Sequence, residues 1–408
     1  MELTKVKLSD VSHFVEDKIS SSDVRLEDYI ITDNLLQNKQ GRVCASNLPP
    51  KPCSLIRFQK GDVLVANIRP YLKKIWQATS SGGASNDVLV IRANDETLSE
   101  YIYSLLLQDD FYTYVMKAPK GSKMPRGDHE HIMRYPILDI PHKKEIGRLV
   151  AALDDKIALN KKMNQKLERM AKRLYDYWFV QHDFPNKNGH PYKTTGGPMT
   201  YSPTLKREIP AGWEVKTLDE YLDCNKYSLT AKSSYDFIQY LDTSSLTENT
   251  LKSLQKYGSQ AESPSRAKRI VYANDILYST VRPQQKHYGI IKNPAQNMIA
   301  STGFAILSCK YGSEYNDMFY LFLIQEKNLI KLSAIADSNA SSYPSFNPSD
   351  LLNLSICLPN DLKIIEPLVQ KFSSLFSIVE RNQKENQKLT ALRDKLLPLL
   401  MNGQVVVG

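Results

Sequence analysis

Basic, amide and aromatic side chains follow two similar strand-like segments, and their chemistry suits contacts with nucleic acid. The first group is Arg69, Tyr71, Lys73 and Lys74, and the second is Arg282, Gln284, Gln285 and Lys286. Lys and Arg neutralise phosphates, whereas Arg, Asn and Gln can hydrogen-bond the edge of a base through two atoms at once. The groups share an Arg-Pro dipeptide and differ around it, as two related modules that read different sequences would.

Three further groups of polar residues extend this candidate nucleic-acid surface. They are Lys120, Lys123 and Arg126 in a loop at 118–131, Asn339, Ser342 and Tyr343 in a second loop at 339–350, and Arg266, Lys268 and Arg269 before the second strand-like segment. For any single residue, an ordinary solvated position is at least as good an explanation. As a set, they favour contact with DNA.

Catalytic and metal-binding patterns are missing from the sequence. It contains no GxxxxGK[ST] phosphate loop, no Asn/Asp-Pro-Pro-Tyr/Phe motif for amino-methyl transfer, and no CxxC pair among its five cysteines. The run Asp128-His129-Glu130-His131 alternates along a charged loop, which favours solvent exposure over metal binding. We therefore predict no catalytic residue, no metal site and no cofactor bound by this chain.

The composition is that of an ordinary globular protein with a basic bias. The chain has 408 residues, 42% hydrophobic and 24% charged, and a formal net charge of +9, which is enough for two or three domains. No run approaches the ~20 apolar residues of a membrane span, and MELTKVKLSDV lacks the apolar core of a signal peptide. With unpaired cysteines, these features predict a cytoplasmic protein without a membrane partner. The basic charge permits nucleic-acid binding without establishing it.

The candidate residues are positioned by a segment that occurs twice. Asp62 with Arg69-Pro70 matches Asp275 with Arg282-Pro283 (275 − 62 = 213), and Tyr103 matches Tyr320 (320 − 103 = 217). A repeat of this length indicates duplication, with small insertions between the copies. Each copy is predicted to hold strands, one buried helix, a polar loop and a last strand. In the first copy these are 61–70, 86–93, helix 98–117, loop 118–131 and strand 132–141. In the second copy the matching helix is 316–336 and the last strand is 351–359.

A long helix with a heptad seam follows each copy. The first seam is 146, 150, 153, 157, 160, 164, 167, 171, 174 and 178, and the second is 365, 368, 372, 375, 379, 382, 386, 389, 392 and 396. Both seams are otherwise nonpolar and carry a central Asn pair, Asn160 with Asn164 and Asn382 with Asn386. A buried Asn costs stability and fixes register, so we predict that these four residues set the register of a helix pair.

Two arrangements would bury the seams. Each helix could pack on its own globule, or the two helices could pair with each other, which we favour. The Asn pairs would align in either direction. A pseudo-two-fold relation between two equivalent units favours the antiparallel direction. The predicted fold class is therefore mixed α/β (α+β), with two duplicated globular domains joined by two long helices that form an antiparallel coiled coil.

The sequence resembles the specificity (S) subunits of type I restriction–modification systems over nearly its whole length. The stretches that carry the resemblance are LDDKIALNKKMNQKLERMAKRLYDYWFV, FPNKNGHPYKTTGGPM, EIPAGWEVKTLDE and LRDKLLPLLMNGQV. The chain departs from the family pattern at its start. It opens with VKLSDV, equivalent to VKTLDE at 215–220, where many members have an IPxGWE-like phrase before it.

The resemblance implies a division of the chain and a mechanism. The first target-recognition domain would be 1–143, the first conserved helix 144–181, a linker 182–211, the second recognition domain 212–360 and the second helix 361–408. Each domain would read one half of a bipartite, asymmetric site in double-stranded DNA from the major groove. The helices would set the gap and dock two modification (M) subunits, and restriction (R) subunits would complete the complex.

The resemblance also implies that this chain is a non-catalytic subunit, located in the cytoplasm of a bacterium or archaeon. S-adenosylmethionine would be bound by the M subunits, and ATP and Mg by the R subunits. Two other hypotheses stay open on the residues alone. One is a coiled-coil scaffold that binds only protein, and the other is a nuclease or methyltransferase in its own right.

Overall fold

The computed structural model describes residues 4–121, 123–230, 233, 235–339 and 343–405. The chain divides into two compact units: unit 1 comprises residues 1–158 and 386–408, and unit 2 comprises residues 159–385. The fold is mixed α/β, as the sequence predicts. Within the described ranges, no helix has the length and apolar character needed to cross a membrane.

Unit 1 contains small sheets, short helices and the beginning of a long helix. Its strands are β1 (Lys5–Lys7), β2 (Ser12–Phe14), β3 (Lys18–Ser20), β4 (Tyr29–Ile30), β5 (Ser54–Phe58), β6 (Val63–Ala66), β7 (Ile75–Gln77), β8 (Gly82–Ala84), β9 (Val88–Ala93), β10 (Pro119–Lys120), β11 (Arg126–Gly127) and β12 (Pro136–Leu138). Its helices are α1 (Leu8–Val11), α2 (Ser99–Leu106), α3 (Asp109–Val115), α4 (His129–Met133) and the first part of α5 (Lys143–Tyr175).

Unit 2 begins with the rest of α5, which ends in a π-helical turn at Asp176–Val180. Its strands are β13 (Met199–Ser202), β14 (Arg207–Pro210), β15 (Trp213–Thr217), β16 (Leu222–Cys224), β17 (Ile238–Leu241), β18 (Leu246–Thr247), β19 (Thr250–Leu251), β20 (Gln255–Tyr257), β21 (Ala267–Ile270), β22 (Asp275–Ser279), β23 (Tyr288–Ile291), β24 (Met298–Ser301), β25 (Phe304–Cys309) and β26 (Ser355–Pro359). Its helices are α6 (Asn316–Leu323), α7 (Glu326–Ser338), α8 (Pro348–Leu352) and α9 (Glu366–Met401), whose last part belongs to unit 1.

The two units contain sheets of matching topology. The order β2-β9-β6-β7 in unit 1 corresponds to β16-β25-β22-β23 in unit 2, with antiparallel neighbours throughout. In the second sheet of each unit, β8 and β24 each lie between one parallel and one antiparallel neighbour. The first sheets therefore agree with the sequence repeat, whereas the second sheets differ at one edge, where β3 pairs with β5 in unit 1 and β20 pairs with β17 in unit 2.

Strand β6 is buried along its whole length because it separates two hydrophobic cores. Val63 and Val65 face the core that contains the helices, whereas Leu64 and Ala66 face the core shared with the second sheet. Side chains alternate between the faces of a strand, so a strand covered on both sides is a continuous apolar run. This explains the sequence VLVA and places the turn that follows β6 at the end of an interior strand of the sheet.

The segment 98–117 was predicted to be one helix, and this prediction was wrong. Two helices, α2 and α3, meet at Gln108, whose backbone is extended with ψ of 145°. The side chain and the backbone amide of Gln108 both donate to the carbonyl of Leu105, in the last turn of α2. The same break occurs in unit 2, where the Gln325 side chain donates to the carbonyl of Leu321. A glutamine whose side chain bonds a carbonyl of the last helical turn competes with continuation of the helix.

Two other segments have more structure than their composition suggests. The predicted strand 132–141 is strand only at β12, because Asp128 accepts a hydrogen bond from the amide of His131 and starts helix α4. The segment 182–211, predicted to be a linker or extended wrap, forms the hairpin β13–β14. Its Phe184 ring stacks on Trp213, with 5.0 Å between the ring centroids.

The residues at the predicted heptad seam positions are buried or half-buried, with one exception. The first-seam positions are all buried or half-buried. In the second seam Leu392 is 46% exposed, so its assignment was wrong, and Arg393 is buried in its place. A straight α-helix drifts by about 20° per heptad relative to a 3.5-residue repeat. By the end of α9 this drift has moved the buried face to Arg393, Leu397 and Leu400.

Gly147 marks a close approach between α5 and α2. A Cβ at Gly147 would lie 2.6 Å from the backbone nitrogen of Tyr101. We expect Gly147→Ala to lower the free energy of unfolding by about 1–3 kcal/mol, because overpacking outweighs the better helix propensity of Ala. Urea denaturation measures the change. Ala152→Gly, at an exposed position of α5, is the control and should cost about 1 kcal/mol. A Gly147→Ala protein more stable than wild type would contradict the close approach.

Candidate nucleic-acid interface

An Arg-Pro turn of the same backbone geometry follows β6 in unit 1 and β22 in unit 2. The arginine is left-handed in both copies, with φ of 53° at Arg69 and 47° at Arg282, and a single 3-10 turn follows each. Residues other than Gly rarely adopt this conformation, and they keep it only where their surroundings hold them. Its presence in both copies indicates that the turn has a defined role.

The polar loop after the short helices is fixed against this turn in each unit. The backbone amide of Arg69 donates to the carbonyl of Pro125 (2.8 Å), and that of Arg282 donates to the carbonyl of Pro344 (2.9 Å). In unit 2 the loop also brings Tyr343 to Arg282, whose guanidinium carbon lies 5.3 Å from the ring centroid. The sequence separated these residues into two candidate groups, and the fold joins them into one surface.

A second pair of left-handed residues supports the turn, and sequence reasoning missed it. The amide of Lys39 donates to the carbonyl of Lys73 (2.8 Å), and the amide of Glu248 donates to the carbonyl of Lys286 (2.9 Å). Their φ values are 61° and 43°. The available signal was the neighbouring asparagine in each case, since Asn tolerates positive φ and favours turns.

Two predicted DNA contacts of unit 1 are engaged within the protein. Lys73 Nζ lies 2.9 Å from the Asp109 carboxylate, which also pairs with Lys39 at 2.7 Å. Burial acts to raise the pKa of Asp109, but the hydrogen bonds from both lysines outweigh it, and the pKa is lowered overall. Lys74 Nζ donates to the carbonyl of Thr32. These lysines hold the turn against its neighbours.

Two loop candidates of unit 1 form surface ion pairs. Lys120 pairs with Asp128, and Arg126 lies 2.9 Å from Asp87. The hydrogen bond from Lys120, followed by that from the amide of His131, lowers the pKa of Asp128 to about 2. Exposed pairs of this kind contribute little to stability, so a phosphate can compete for the basic partner.

The remaining candidates of unit 1 point to solvent. Arg69, Tyr71 and Lys123 are exposed. Among the residues that the structure describes, no carboxylate forms an ion pair with Arg69 or Lys123. Their charges are therefore available to an external anion.

In unit 2 the fold brings Arg266 close to the Arg-Pro turn. A Cβ at Gly303 would lie 3.1 Å from a guanidinium nitrogen of Arg266. The carbonyl of Gly303 accepts from the amide of Thr280 (2.9 Å), two residues before Arg282. Within the described part of the chain, neither arginine is paired with a carboxylate. Two guanidinium groups on neighbouring segments, one of them beside the exposed Tyr343, form a candidate site for nucleic acid.

The other candidates of unit 2 differ in their availability. Lys286 pairs with Glu248 (2.8 Å), Arg269 donates to the Ser228 hydroxyl (2.9 Å), and the Asn339 amide donates to the carbonyl of Ser345 (3.1 Å). Lys268, Gln284 and Gln285 are exposed, and Lys286 and Asn339 are exposed as well despite these contacts. Ser342 lies outside the described residues.

The Asp128–His131 run has structural roles. Besides the Asp128 cap on α4, the His129 ring lies 5.0 Å from the Phe14 ring, and the His131 ring stacks on Tyr114 at 4.1 Å. Over the ranges that the structure describes, no group of three or more His, Cys, Asp or Glu is arranged to hold a metal ion.

In unit 2 the central asparagines join α5 to α9. Asn382 Nδ2 donates to Asn164 Oδ1 (2.8 Å), and Asn164 Nδ2 donates to the carbonyl of Val379 (3.0 Å). Asn160 Nδ2 donates to Glu385 Oε2 (2.7 Å). As the residue number rises along α5, the number of the residue that it contacts on α9 falls.

In unit 1 the same trend continues with the fourth predicted asparagine. Asn386 Nδ2 donates to the carbonyl of Ile157 (3.3 Å), and Arg393 Nη1 donates to Asp154 Oδ1 (2.6 Å). The structure thus brings Asn164 and Asn382 into direct contact, and it gives Glu385 as a partner of Asn160 and the Ile157 carbonyl as a partner of Asn386. That these residues set the register stays a prediction.

Helix α5 also carries a carboxyl group whose ionisation is disfavoured. Burial raises the pKa of Glu168 to about 7, against a hydrogen bond with Asn249, and the nearby Glu248 adds to the rise. Both neighbours belong to the supporting turn of unit 2. The charge state of Glu168 is therefore coupled to the packing of the turn on the helix.

Comparisons with known proteins give a consistent family. No family model matches the chain. The specificity subunit of type I restriction enzyme MjaIX from Methanocaldococcus jannaschii is 24% identical over 371 residues, covering 88% of this chain and 80% of that protein. The HindI specificity subunit from Haemophilus influenzae is 22% identical over 440 residues, covering 92% and 94%. The curated homologues of this chain are type I specificity subunits.

A solved structure matches the fold across almost the whole chain. The S subunit of a type I restriction–modification system from M. genitalium superposes with a TM-score of 0.61, at 13% identity, covering 98% of this chain and 96% of that one. The architecture is therefore shared with an S subunit, although few side chains are.

A double substitution tests the Asn164–Asn382 contact. Asn164→Leu alone should lower the free energy of unfolding by about 1–3 kcal/mol, because it leaves the buried Asn382 amide without its acceptor. Asn164→Leu with Asn382→Leu should recover or exceed wild-type stability, since an apolar pair replaces both partners. Urea denaturation of wild type, Asn164→Leu, Asn382→Leu and the double variant gives the coupling energy. Strictly additive effects would contradict a direct contact.

The pH dependence of stability tests the environment of Glu168. Its folded-state pKa lies above the ordinary 4.5, so it contributes stability below pH 4.5 that is lost as the pH rises through 7. We expect Glu168→Gln to leave the free energy of unfolding unchanged near pH 4 and to raise it by about 1–2 kcal/mol at pH 8. The exposed Glu208→Gln is the control. Equal stability of Glu168→Gln and wild type at pH 8 would contradict the burial of a charge.

Proposed function

We propose that this chain is the DNA sequence-specificity subunit of a type I restriction–modification complex, and that it is itself non-catalytic. The observation that carries the proposal is sequence similarity to type I specificity subunits over 88% and 92% of the chain. The fold match and the two sets of exposed basic residues support it.

In this proposal the chain consists of duplicated target-recognition domains joined by an antiparallel coiled coil. The matching sheet orders and the repeated Arg-Pro turn support the duplication. The contacts of Asn164 with Asn382, Asn386 with Ile157 and Arg393 with Asp154 support the antiparallel direction.

Each domain reads one half of a bipartite, asymmetric DNA site, with the Arg-Pro turn at its centre. Arg282 suits this task because the left-handed turn projects it from the sheet edge and Tyr343 contacts its face. A guanidinium that is already ordered loses less freedom on binding, and its planar fork matches two acceptors of guanine or phosphate. Arg69 has the same backbone position in the other domain.

The two long helices set the distance between the half-sites and dock the partner subunits. The 33 residues of α5 span about 50 Å at ~1.5 Å per residue, compared with ~34 Å per turn of DNA. The partners are two M subunits and the R subunits. S-adenosylmethionine belongs to the M subunits, and ATP and Mg to the R subunits.

Substitution of Arg282 tests the reading site. The target sequence is first obtained by mapping methylated adenines in a host with and without this chain. In filter binding with the chain assembled with its M subunits, Arg282→Ala should weaken binding to that duplex by about 10- to 100-fold. Arg282→Lys should recover affinity if the contact is a phosphate, but not if two atoms of a base are read. Arg69→Ala should act on the other half-site.

The control removes one exposed charge elsewhere. Lys187→Ala, in the segment before β13, should leave binding to the target within about twofold, at a salt concentration that screens distant charges. Equal binding of the wild-type complex to all duplexes would reject sequence reading and favour a scaffold that binds only protein. Methyl transfer by the chain without M subunits would reject the non-catalytic assignment.

A further inference from the structure

A buried ion pair joins the two long helices in unit 1. Arg393 of α9 is 5% exposed, and its Nη1 donates to Asp154 Oδ1 of α5 at 2.6 Å. Asp394 accepts from the other side of the guanidinium. Burial raises the pKa of the neighbouring Tyr103 hydroxyl well above its usual value, and the Asp154 carboxylate raises it further. A charged contact therefore lies where the helix pair meets the core of unit 1.

The corresponding place in unit 2 is entirely apolar. The Asn pairs align α5 with α9 at an offset of 222 (382 − 160 and 386 − 164), which matches Arg393 with Ala171 and Asp154 with Phe376. Ala171 and Phe376 are almost fully buried in one hydrophobic core. Phe376 packs edge-on against Tyr320, which the repeat matches with Tyr103. The same position thus holds an ion pair in one unit and two buried apolar residues in the other.

This difference matters because α5 and α9 are otherwise similar helices. Each carries two asparagines at matching seam positions, so the asparagines cannot distinguish α9 from a second copy of α5. If α5 paired with α5 of another chain in the same register, Asp154 would face Ala171. If α9 paired with α9, Arg393 would face Phe376. The first arrangement would leave the Asp154 carboxylate without its arginine, and the second would leave Arg393 paired only with its neighbour Asp394.

We propose that the Asp154–Arg393 pair makes α5 and α9 of one chain select each other over the same helix of a second copy. The ion pair acts as a specificity device, because only the α5–α9 combination satisfies both charges. The inference rests on the proposed duplication and antiparallel coiled coil. It predicts that the chain assembles through α5–α9 pairing, and not as a dimer built from α5–α5 and α9–α9 pairs.

The physical basis is the asymmetry of buried ion pairs. Replacing both partners with apolar residues is often neutral or stabilising, whereas removing one leaves an uncompensated charge. An uncompensated buried charge disfavours a pairing by more than about a hundredfold, and an α5–α5 pair would contain two Asp154 carboxylates without their arginines. The penalty falls only on a dimer built from α5–α5 and α9–α9 pairs. The ion pair therefore suppresses that dimer without stabilising the native α5–α9 pairing.

The experiment uses the full chain carrying Asp154→Leu and Arg393→Met. Wild type and variant are refolded from urea at rising concentration, and the dimer fraction is measured by size exclusion with light scattering. Wild type should remain monomeric. The variant should fold, by circular dichroism, with at least about a tenfold larger ratio of dimer to monomer, since the penalty on that dimer is removed. Co-refolding with a differently tagged copy should yield mixed dimers.

Two control variants separate selection from a general effect of lost charge. Asp154→Arg with Arg393→Asp keeps one ion pair between the helices and should remain monomeric. Asp139→Leu with Lys143→Met removes a local pair of the same charges in unit 1 and should also remain monomeric. Dimers in the second control would show that loss of charge alone promotes association, and would overturn the proposal.

A folded Asp154→Leu, Arg393→Met chain that stays as monomeric as wild type at every concentration would overturn the proposal. If that variant fails to fold, Asp154→Asn with Arg393→Gln removes the charges but keeps hydrogen-bonding groups. If that second variant has the same monomer fraction as wild type, the proposal is also overturned. None of these measurements involves DNA, so their outcome is distinguishable from a failure of the proposed reading function.

Discussion

The burial of the helix seams is the constraint on which both units depend. A long helix with an apolar stripe is unstable in water unless that stripe is covered. In unit 1, Ile146 and Val150 of α5 lie in the same core as Leu397 of α9 and the sheet that carries β6. In unit 2, Tyr175 and Phe372 have the corresponding role. Within each unit, helices and sheet therefore form one core, and the Arg-Pro turn is attached to it.

The Arg-Pro turn shows how a small unit can vary its surface while keeping its geometry. Its backbone donates a hydrogen bond to a proline carbonyl on one side and accepts one from an amide of a left-handed turn on the other. The charges that stabilise it differ between the copies: Lys73 binds Asp109, whereas Lys286 binds Glu248. A fixed backbone with variable side chains lets two related domains present different chemistry.

The sequence predicted which types of residue form the candidate surface. It did not predict which of them are engaged by other parts of the protein. Arg69 and Arg282 are exposed and unpaired with carboxylates in the described ranges, whereas Lys73 and Lys74 are engaged within unit 1. In the sequence these four residues are equivalent, because each is basic and follows a strand. Whether a basic residue faces an internal acceptor depends on distant segments that periodicity does not record. The turn at Lys39 was missed although its neighbour Asn38 was a local signal.

The sequence by itself determined the features that depend on local periodicity and repetition. These are the two copies, the long helices, the buried seams and their central asparagines, and the family resemblance. Only the tertiary structure decided which partner each residue meets. Gln108 ends a helix by bonding a carbonyl, and helix drift places Arg393 in the seam instead of Leu392. The physical reason is that burial follows from spacing along the chain, whereas pairing depends on segments that folding brings together.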